Sequence, residues 1–457
     1  MPKQVSHSQL VALVKFLNNH VSRQLFDDIC FAMEVDPDNI PGDTLKGKIR
    51  ELVLYANRHL QMDDFFEAFL AVWEGGEVDL TPYGYEPKGK EQPPSPSPAV
   101  PDSPSDGPAF VNFDLRVGAR REDGRYPVEV THSPAGEMRN PVLQTFPLDD
   151  PEFTDLIAFL NSLIASGQDA KVLGRKMRDL LFPGEVWQMF YASYTKSQAE
   201  NKRLRVRLRI DPPELSRLPW EYVYDDTFQF LGLNRDTPIM RYVAEPFAPD
   251  NTKAPRPLRI LLAMAAPQDQ APLNLSEEEA RIRKALEPLG DQVMLHVIPH
   301  TTAGRLHAAL ADGYHVLHFL GHGAFENGMG ALVLEDDEGN SRQMDADQLM
   351  ILLRNTAVKV VVLNACQTAA HGTEDALSGV APALVRAEIP AVVAMQFPVP
   401  DKTALGFARD LYRFLAKGQP LDLAVTEMRI GAFINGADRY FWGIPVLYMR
   451  SPDGRIW

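Results

Sequence analysis

The sequence predicts an α/β sandwich, a mostly parallel sheet between helices, preceded by a mixed α/β region and an N-terminal all-α bundle. Three observations carry this prediction. Residues 256–449 alternate nearly continuous apolar runs with segments of helical period, residues 81–108 interrupt the chain with prolines, and residues 1–80 show helical periodicity. Strands buried on both faces read as unbroken Val, Ile and Leu, and parallel neighbours are joined by right-handed helical crossovers. A chain of 457 residues suits about three folding units at roughly 100–200 residues each. With 45% apolar and 23% charged residues it can build cores, which excludes wholesale disorder.

In residues 1–80, SQLVALVKFLNNHV carries apolar residues at 10, 11, 13, 14 and 17, and GKIRELVLYANRHL repeats the pattern at 49, 52, 53 and 56. Asp36-Pro37-Asp38 and Ile40-Pro41-Gly42-Asp43 stop the helices, because proline fixes φ and lacks a donor. FFEAFLAVW closes a bundle of about five or six helices. Cys30, within FDDICFAM, reads as a buried small hydrophobe. Residues 81–108 hold nine of the 37 prolines and almost no aliphatic side chains, so they cannot offset their ordering entropy and form a semi-rigid linker.

Residues 109–255 read as mixed α/β. FVNFDLRV and RLRVRLRI alternate with the period of a strand, while FTDLIAFLNSLIA and KVLGRKMRDLLF are helical. RLRVRLRI puts Arg203, Arg205, Arg207 and Arg209 on one side, expected to be a solvated sheet face. LSRLPWEYVYD, with Trp220 and two tyrosines, is a packing element.

Residues 256–457 give strands in PLRILLAMAAP, VMLHVIP, YHVLHFLGHG, VKVVVLNAC and AVVAMQF, a hairpin in GALVLEDDEGNSRQM, and a capped helix in DADQLMILLRN. Further helices are expected in SEEEARIRKALEPL, AGRLHAAL, LSGVAPALVRAE and TALGFARDLYRFLAKG. YHVLHFL is expected to end in a turn at Gly321-His322-Gly323.

The formal charge of −15 repels nucleic acid and anionic membrane. The sequence contains no apolar run of 18 residues and begins with nothing like a secretory signal, so a cytoplasmic location is expected. With only Cys30 and Cys366, neither a disulfide framework nor a four-cysteine zinc site is available.

Ligands of open α/β sheets sit beyond the carboxyl ends of the strands, and two strands here end in reactive residues: His322 between glycines, and Cys366 after VVVLNA. An imidazole that can accept the thiol proton makes cysteine a nucleophile at neutral pH. The flanking glycines allow close backbone approach, so the amides of Gly323 and Cys366 can face a developing oxyanion. A metal is not expected: His318 and His322 would lie roughly 13 Å apart along a strand, too far to share one zinc. GHGAFENGMG matches no phosphate-binding pattern, and no cofactor is expected.

The blocks YHVLHFLGHG, GALVLEDDEG, VVLNACQTA, DALSGVAPALVRAEIPAVVAMQFPV and WGIPVLYMR occur in the order of the CHAT-type cysteine peptidases, relatives of caspases and separases, which this chain resembles. LPWEYVYD and FLGLNRDTPIMRYV resemble the region preceding the CHAT core, and the 44 residues from His322 to Cys366 approach the caspase spacing of about 50 in the same chain order. The resemblance implies a caspase-like fold, His322 as general acid/base, Cys366 as nucleophile, and the Gly323 and Cys366 amides as oxyanion donors. FDDICFAMEVDPDNIPGDTLKGKIRELVLYANRHLQMDDFFEAF resembles bacterial effector-associated, death-like domains, which recruit partners by like-with-like contacts. The expected organisation is a death-like adaptor at 1–80, a linker at 81–108, the N-terminal part of the CHAT unit at 109–255 and its catalytic core at 256–457.

Arginine- or lysine-directed relatives often carry an acid two residues before the cysteine, where this chain has Asn364, so a basic P1 residue is not supported. Asp336 and Asp375 are further candidates for the substrate pocket. The expected function is a cysteine endopeptidase of a bacterial immune or regulated-death pathway, activated through its adaptor by a death-like sensor or scaffold. Its substrate is a protein, with a gasdermin-like pore former as one class, and nucleic acid and membrane are not expected partners. The rivals are a catalytically inactive scaffold and a small-molecule-binding regulator.

Overall fold

The computed structural model describes residues 7–32, 44–49, 109–161, 167–245, 252–326, 329–366, 376–397, 401–435, 440–451 and 453–456, with isolated positions between 52 and 82. The chain divides into two compact units, Met1–Ser103 and Pro104–Trp457. In the first, α1 (His7–His20) and α2 (Arg23–Ala32) contribute Leu13, Leu17, Phe26, Ile29 and the fully buried Cys30 to a core shared with Phe65, Phe66 and Phe69. Ser22 starts α2 by accepting the Leu25 amide at 3.1 Å, as an N-cap does. The remaining helices expected in this bundle fall largely on positions outside the described residues.

The second unit runs in chain order as β1 (Phe110–Val117), β2 (Tyr126–His132), β3 (Val142–Gln144), α3 (Pro151–Asn161), α4 (Gly167–Leu181), α5 (Gly184–Ala199), β4 (Arg203–Ile210), α6 (Pro213–Ser216), β5 (Tyr224–Asp225), β6 (Gln229–Phe230) and β7 (Ile239–Arg241). It continues as β8 (Leu258–Met264), α7 (Leu275–Leu286), β9 (Val293–Ile298), α8 (Ala303–Leu310), β10 (Val316–Glu326), β11 (Met329–Glu335), β12 (Ser341–Asp345), α9 (Ala346–Leu353) and β13 (Val360–Cys366). It closes with α10 (Ala376–Arg386), β14 (Ala391–Met395), α11 (Asp401–Ala416), α12 (Leu421–Asn435) and β15 (Pro445–Met449).

All but β5 and β6 join one sheet, ordered β12-β11-β10-β13-β14-β15-β7-β4-β1-β2-β3, with β8 and then β9 branching from β10. β9, β8, β10, β13 and β14 are parallel, as unbroken apolar runs predict. β15 turns antiparallel to β14 and then pairs β7, so β7, β4, β1, β2 and β3 extend the same sheet and only the short β5–β6 pair stands apart from it. Successive strand residues feed opposite faces: Ile260, Leu262, Val316, Leu320, Val360 and Val362 enter one apolar cluster, and Leu261, Ala263, Leu317, Phe319, Val361 and Leu363 the other. The helix after β12 starts with a capping box, Asp345 accepting the Gln348 amide at 2.8 Å. Among the described residues no helix is long and apolar enough to cross a membrane.

Three expectations need correction. The arginine face of β4 is not uniformly solvated: Arg205 is 1% exposed and ion-paired with the buried Asp422 of α12 at 2.7 Å, and Arg207 pairs with Asp114, while Arg209 near the end of the strand stays partly exposed. The guanidinium of Arg205 also lies 4.5 Å from the Phe110 ring centroid, so charge and ring close this side of the sheet together. Gly321-His322-Gly323 is not a turn, because β10 continues through it to Glu326 with β11 alongside. The phrase around Trp220 does more than pack, since Glu221 forms a buried ion pair with Arg241 at 2.8 Å. Burial alone would raise the Glu221 carboxyl, but Arg241 overrides it and holds it below its ordinary range.

Candidate active site

The site is built where β10 exchanges one neighbour for another. From Val316 to Leu320 it lies between β8 and β13. β8 ends at Met264, and the Ala265 amide closes the last rung on the Leu320 carbonyl at 3.0 Å. β11 then takes the place of β8, antiparallel, from His322 paired with Val333 to Glu326 paired with Met329. On the opposite side β13 continues to the rung that pairs His322 with Cys366.

Glycine is required at 321 by crowding. A Cβ there would lie 2.6 Å from the Phe319 ring and 3.1 Å from the Ala265 carbonyl oxygen, so only a bare α-carbon fits where β8 departs.

His322 is 1% exposed, and its Nε2 lies 2.8 Å from the carbonyl oxygen of Ala271, in the loop after β8. A carbonyl only accepts, so the neutral ring carries its proton on Nε2 and presents Nδ1 as the basic nitrogen. Residues 322 and 366 occupy one rung of adjacent parallel strands, which run about 4.8 Å apart. The side chain of Cys366, and Asp375 altogether, lie outside the described residues.

Alternation along β10, fixed by the bond to the Leu320 carbonyl, turns the backbone groups of Gly321 and Gly323 toward β13. Gly323 therefore directs its amide to the side on which Cys366 stands. That amide belongs to the sheet ladder while the last rung is closed, so it can donate to any other acceptor only when the rung opens.

The candidate pocket residues separate. Asn364 is half-buried on β13, paired in register with Leu320. Asp336 serves the β11–β12 turn, where its Oδ1 accepts the amides of Glu338 at 3.0 Å and Asn340 at 2.7 Å. A cleft of about 640 Å³ between α8, β12 and α9, lined by Leu310, Arg342, Met344 and Ile351 among others, contains none of these residues.

Two features near the site had no readable signal in the sequence. The Ala271 carbonyl is a backbone group and leaves no trace in residue type. His318, on the same pleat phase as His322, has its Nδ1 2.9 Å from the Tyr412 hydroxyl, while its buried Nε2 has no hydrogen-bond partner. Burial pushes its pKa down to about 3, so it stands neutral beneath the site.

The CHAT domain model matches residues 173–449, more than half of the chain and all of β8 to β15. The chain belongs to the CHAT family. The match begins inside α4, so the CHAT region takes in β4 and β7 as well as the strands that carry His322 and Cys366. Residues 13–71 match the model of effector-associated domain 7. No curated protein matches the chain.

Among solved structures, the CHAT chain is similar to the Arg-specific cysteine proteinase gingipain R, at 13% identity and a TM-score of 0.40 over 66% of this chain and 75% of that one. It is similar to separase in the separase–securin complex of Saccharomyces cerevisiae, at 16% identity and 0.32 over 54% of this chain and 15% of that one. It is also similar to the Drosophila initiator caspase Dronc, at 10% identity and 0.28 over 44% of this chain and 87% of that one.

Proposed function

We propose that the protein is a caspase-like cysteine endopeptidase whose dyad is His322 and Cys366. The observation that carries the proposal is the rung shared by these two residues at the carboxyl end of the parallel sheet, in a chain of the CHAT family. The bond from Nε2 to Ala271 supports it, because it directs the basic Nδ1 to proton transfer.

In this reading the Cys366 thiol gives its proton to Nδ1, and the thiolate attacks the peptide carbonyl. Opening of the last rung releases the Gly323 and Cys366 amides to hold the oxyanion. Collapse of the tetrahedral intermediate breaks the C–N bond, and the imidazolium returns its proton to the leaving amine. Water, deprotonated by the imidazole, then hydrolyses the thioester and regenerates the thiol. Asn364 beside the nucleophile favours an uncharged P1 residue.

The N-terminal unit would recruit the peptidase to a death-like sensor or scaffold in the cytoplasm, in a bacterial immune or regulated-death pathway whose substrate is an effector such as a gasdermin-like pore former. The match to effector-associated domain 7 supports that role. A linker between adaptor and peptidase would raise the local concentration of peptidase once adaptors cluster.

The test is cleavage of a peptide library by the full chain and by Cys366→Ala and His322→Ala, with and without proteins encoded nearby. His322→Ala should reduce turnover at least by the roughly 10²- to 10⁴-fold that general acid/base help contributes, Cys366→Ala should remove nearly all of it, and both should leave the fold intact. Cleavage that survives Cys366→Ala contradicts the proposal. A wild-type chain inert under every condition favours the scaffold.

A further inference from the structure

We propose that Asp269 is a positioning residue for His322, acting through the Ala271 carbonyl by latching the β8–α7 loop onto the β11–β12 hairpin. This deepens the peptidase reading of the same site and rests on it for its catalytic consequence.

The loop, residues 265–274, reads AAPQDQAPLN, and Pro267 and Pro272 fix φ on either side of Asp269. It is tied to the hairpin at three successive points. The Ala266 amide donates to Oε1 of the buried Glu335 at 2.8 Å, at the end of β11. The Gln268 amide donates to the Gly339 carbonyl at 3.0 Å, and its side-chain amide reaches Glu338 and Asn340 at 3.1 Å each. Asp269 uses both carboxylate oxygens on one residue: Oδ1 accepts the Ser341 amide at 2.8 Å and Oδ2 the Ser341 hydroxyl at 2.7 Å. The Ser341 hydroxyl and amide hold this carboxyl below its ordinary range although the residue is exposed.

Two residues beyond Asp269 the loop presents the carbonyl that receives Nε2 of His322. The same hairpin pairs with the strand of His322 through Val333. One hairpin therefore fixes both partners of this hydrogen bond, the imidazole through the ladder and its acceptor through the latch. An exposed aspartate in a surface loop has no packing reason to turn both oxygens onto Ser341. Without the latch the carbonyl can drift from Nε2, and the ring loses the bond that selects its tautomer.

The test uses the full chain labelled with [15N]histidine. In the wild type His322 should give the spectrum of a ring protonated on Nε2. Asp269→Ala should shift that signal toward mixed tautomers, Asp269→Asn should restore it, and Ser341→Ala, which keeps the amide bond and loses only the hydroxyl bond, should give a smaller shift in the same direction with no added effect in the Asp269→Ala double variant. Peptide cleavage should fall roughly 10- to 100-fold in Asp269→Ala, in kcat more than in KM, as expected for a misplaced catalytic group. Because Asp269 is exposed, these variants should keep the wild-type melting temperature. An unchanged His322 tautomer in Asp269→Ala overturns the proposal. A shifted tautomer in a chain that cleaves nothing leaves the latch standing and removes the peptidase reading instead.

Discussion

Strands β4 and β13 both lie inside one sheet, yet they are buried by different physics. In β13, Val360, Val361, Val362 and Leu363 enter apolar clusters on both faces. In β4, Leu204, Val206 and Leu208 enter one cluster, while the other face carries arginines that meet Asp422, Asp114 and Asp211. An apolar strand announces its burial in its own residues. A charged strand is buried only through acids contributed from elsewhere in the chain, and the ion pair closing Arg205 comes from a residue 217 positions away.

That contrast is tested most strongly by removing one charge. Asp422→Ala removes the buried carboxylate that balances the Arg205 charge and should cost about 3–5 kcal/mol in chemical denaturation. Replacing both, as Arg205→Met with Asp422→Leu, should restore most of that loss. A small loss in the single variant would mean that water reaches this face of β4.

The apolar half also holds a buried polar ring, and among the described residues no carboxylate pairs with it. His318 is pushed down to about 3 by burial, against an unfolded value near 6.5. Above pH 6.5 neither state takes the proton, so the residue contributes no pH dependence. As pH falls below 6.5 the unfolded chain binds a proton that the native one refuses, and stability should drop by about 1.4 kcal/mol per pH unit toward pH 3. Comparing the pH dependence of wild type and His318→Gln measures this contribution, which the substitution should remove. Equal slopes would place His318 in contact with water.

The smallest effect belongs to the edge of the arginine face. Arg209 pairs with Asp211 at 2.8 Å with its side chain 40% exposed, so Arg209→Ala should change stability by no more than about 1 kcal/mol, less in high salt. A loss comparable to that of Asp422→Ala would erase the distinction between the buried and the exposed ends of β4.

The same contrast explains what was legible in the sequence. β8, β10, β13 and β14 are readable because apolar runs carry their own evidence of burial, while β9 is a half-exposed neighbour of β8. Helix α12 is not readable, since Leu421 to Ile430 are buried all round and include Asp422, Glu427 and Arg429, which leaves no apolar stripe of helical period. The glycines around His322 suggested a turn, yet Gly321 answers a close approach within a continuous strand. Residue type names His322 and Cys366 as candidates in the sequence, but only Cys366 closes its strand, whereas His322 lies inside β10. Ala271, Asp269 and Ser341 could not be named, because a backbone acceptor has no residue signature and the latch joins positions 72 apart.

The most direct test of the central claim is the rate at which iodoacetamide alkylates Cys366 at neutral pH in the full chain and in His322→Ala, with the fully buried Cys30 as internal control. An imidazole on the same rung should make Cys366 react selectively, and its removal should slow the reaction roughly tenfold or more as the thiolate is lost. Equal rates in the two proteins, or a Cys366 as inert as Cys30, would contradict the dyad.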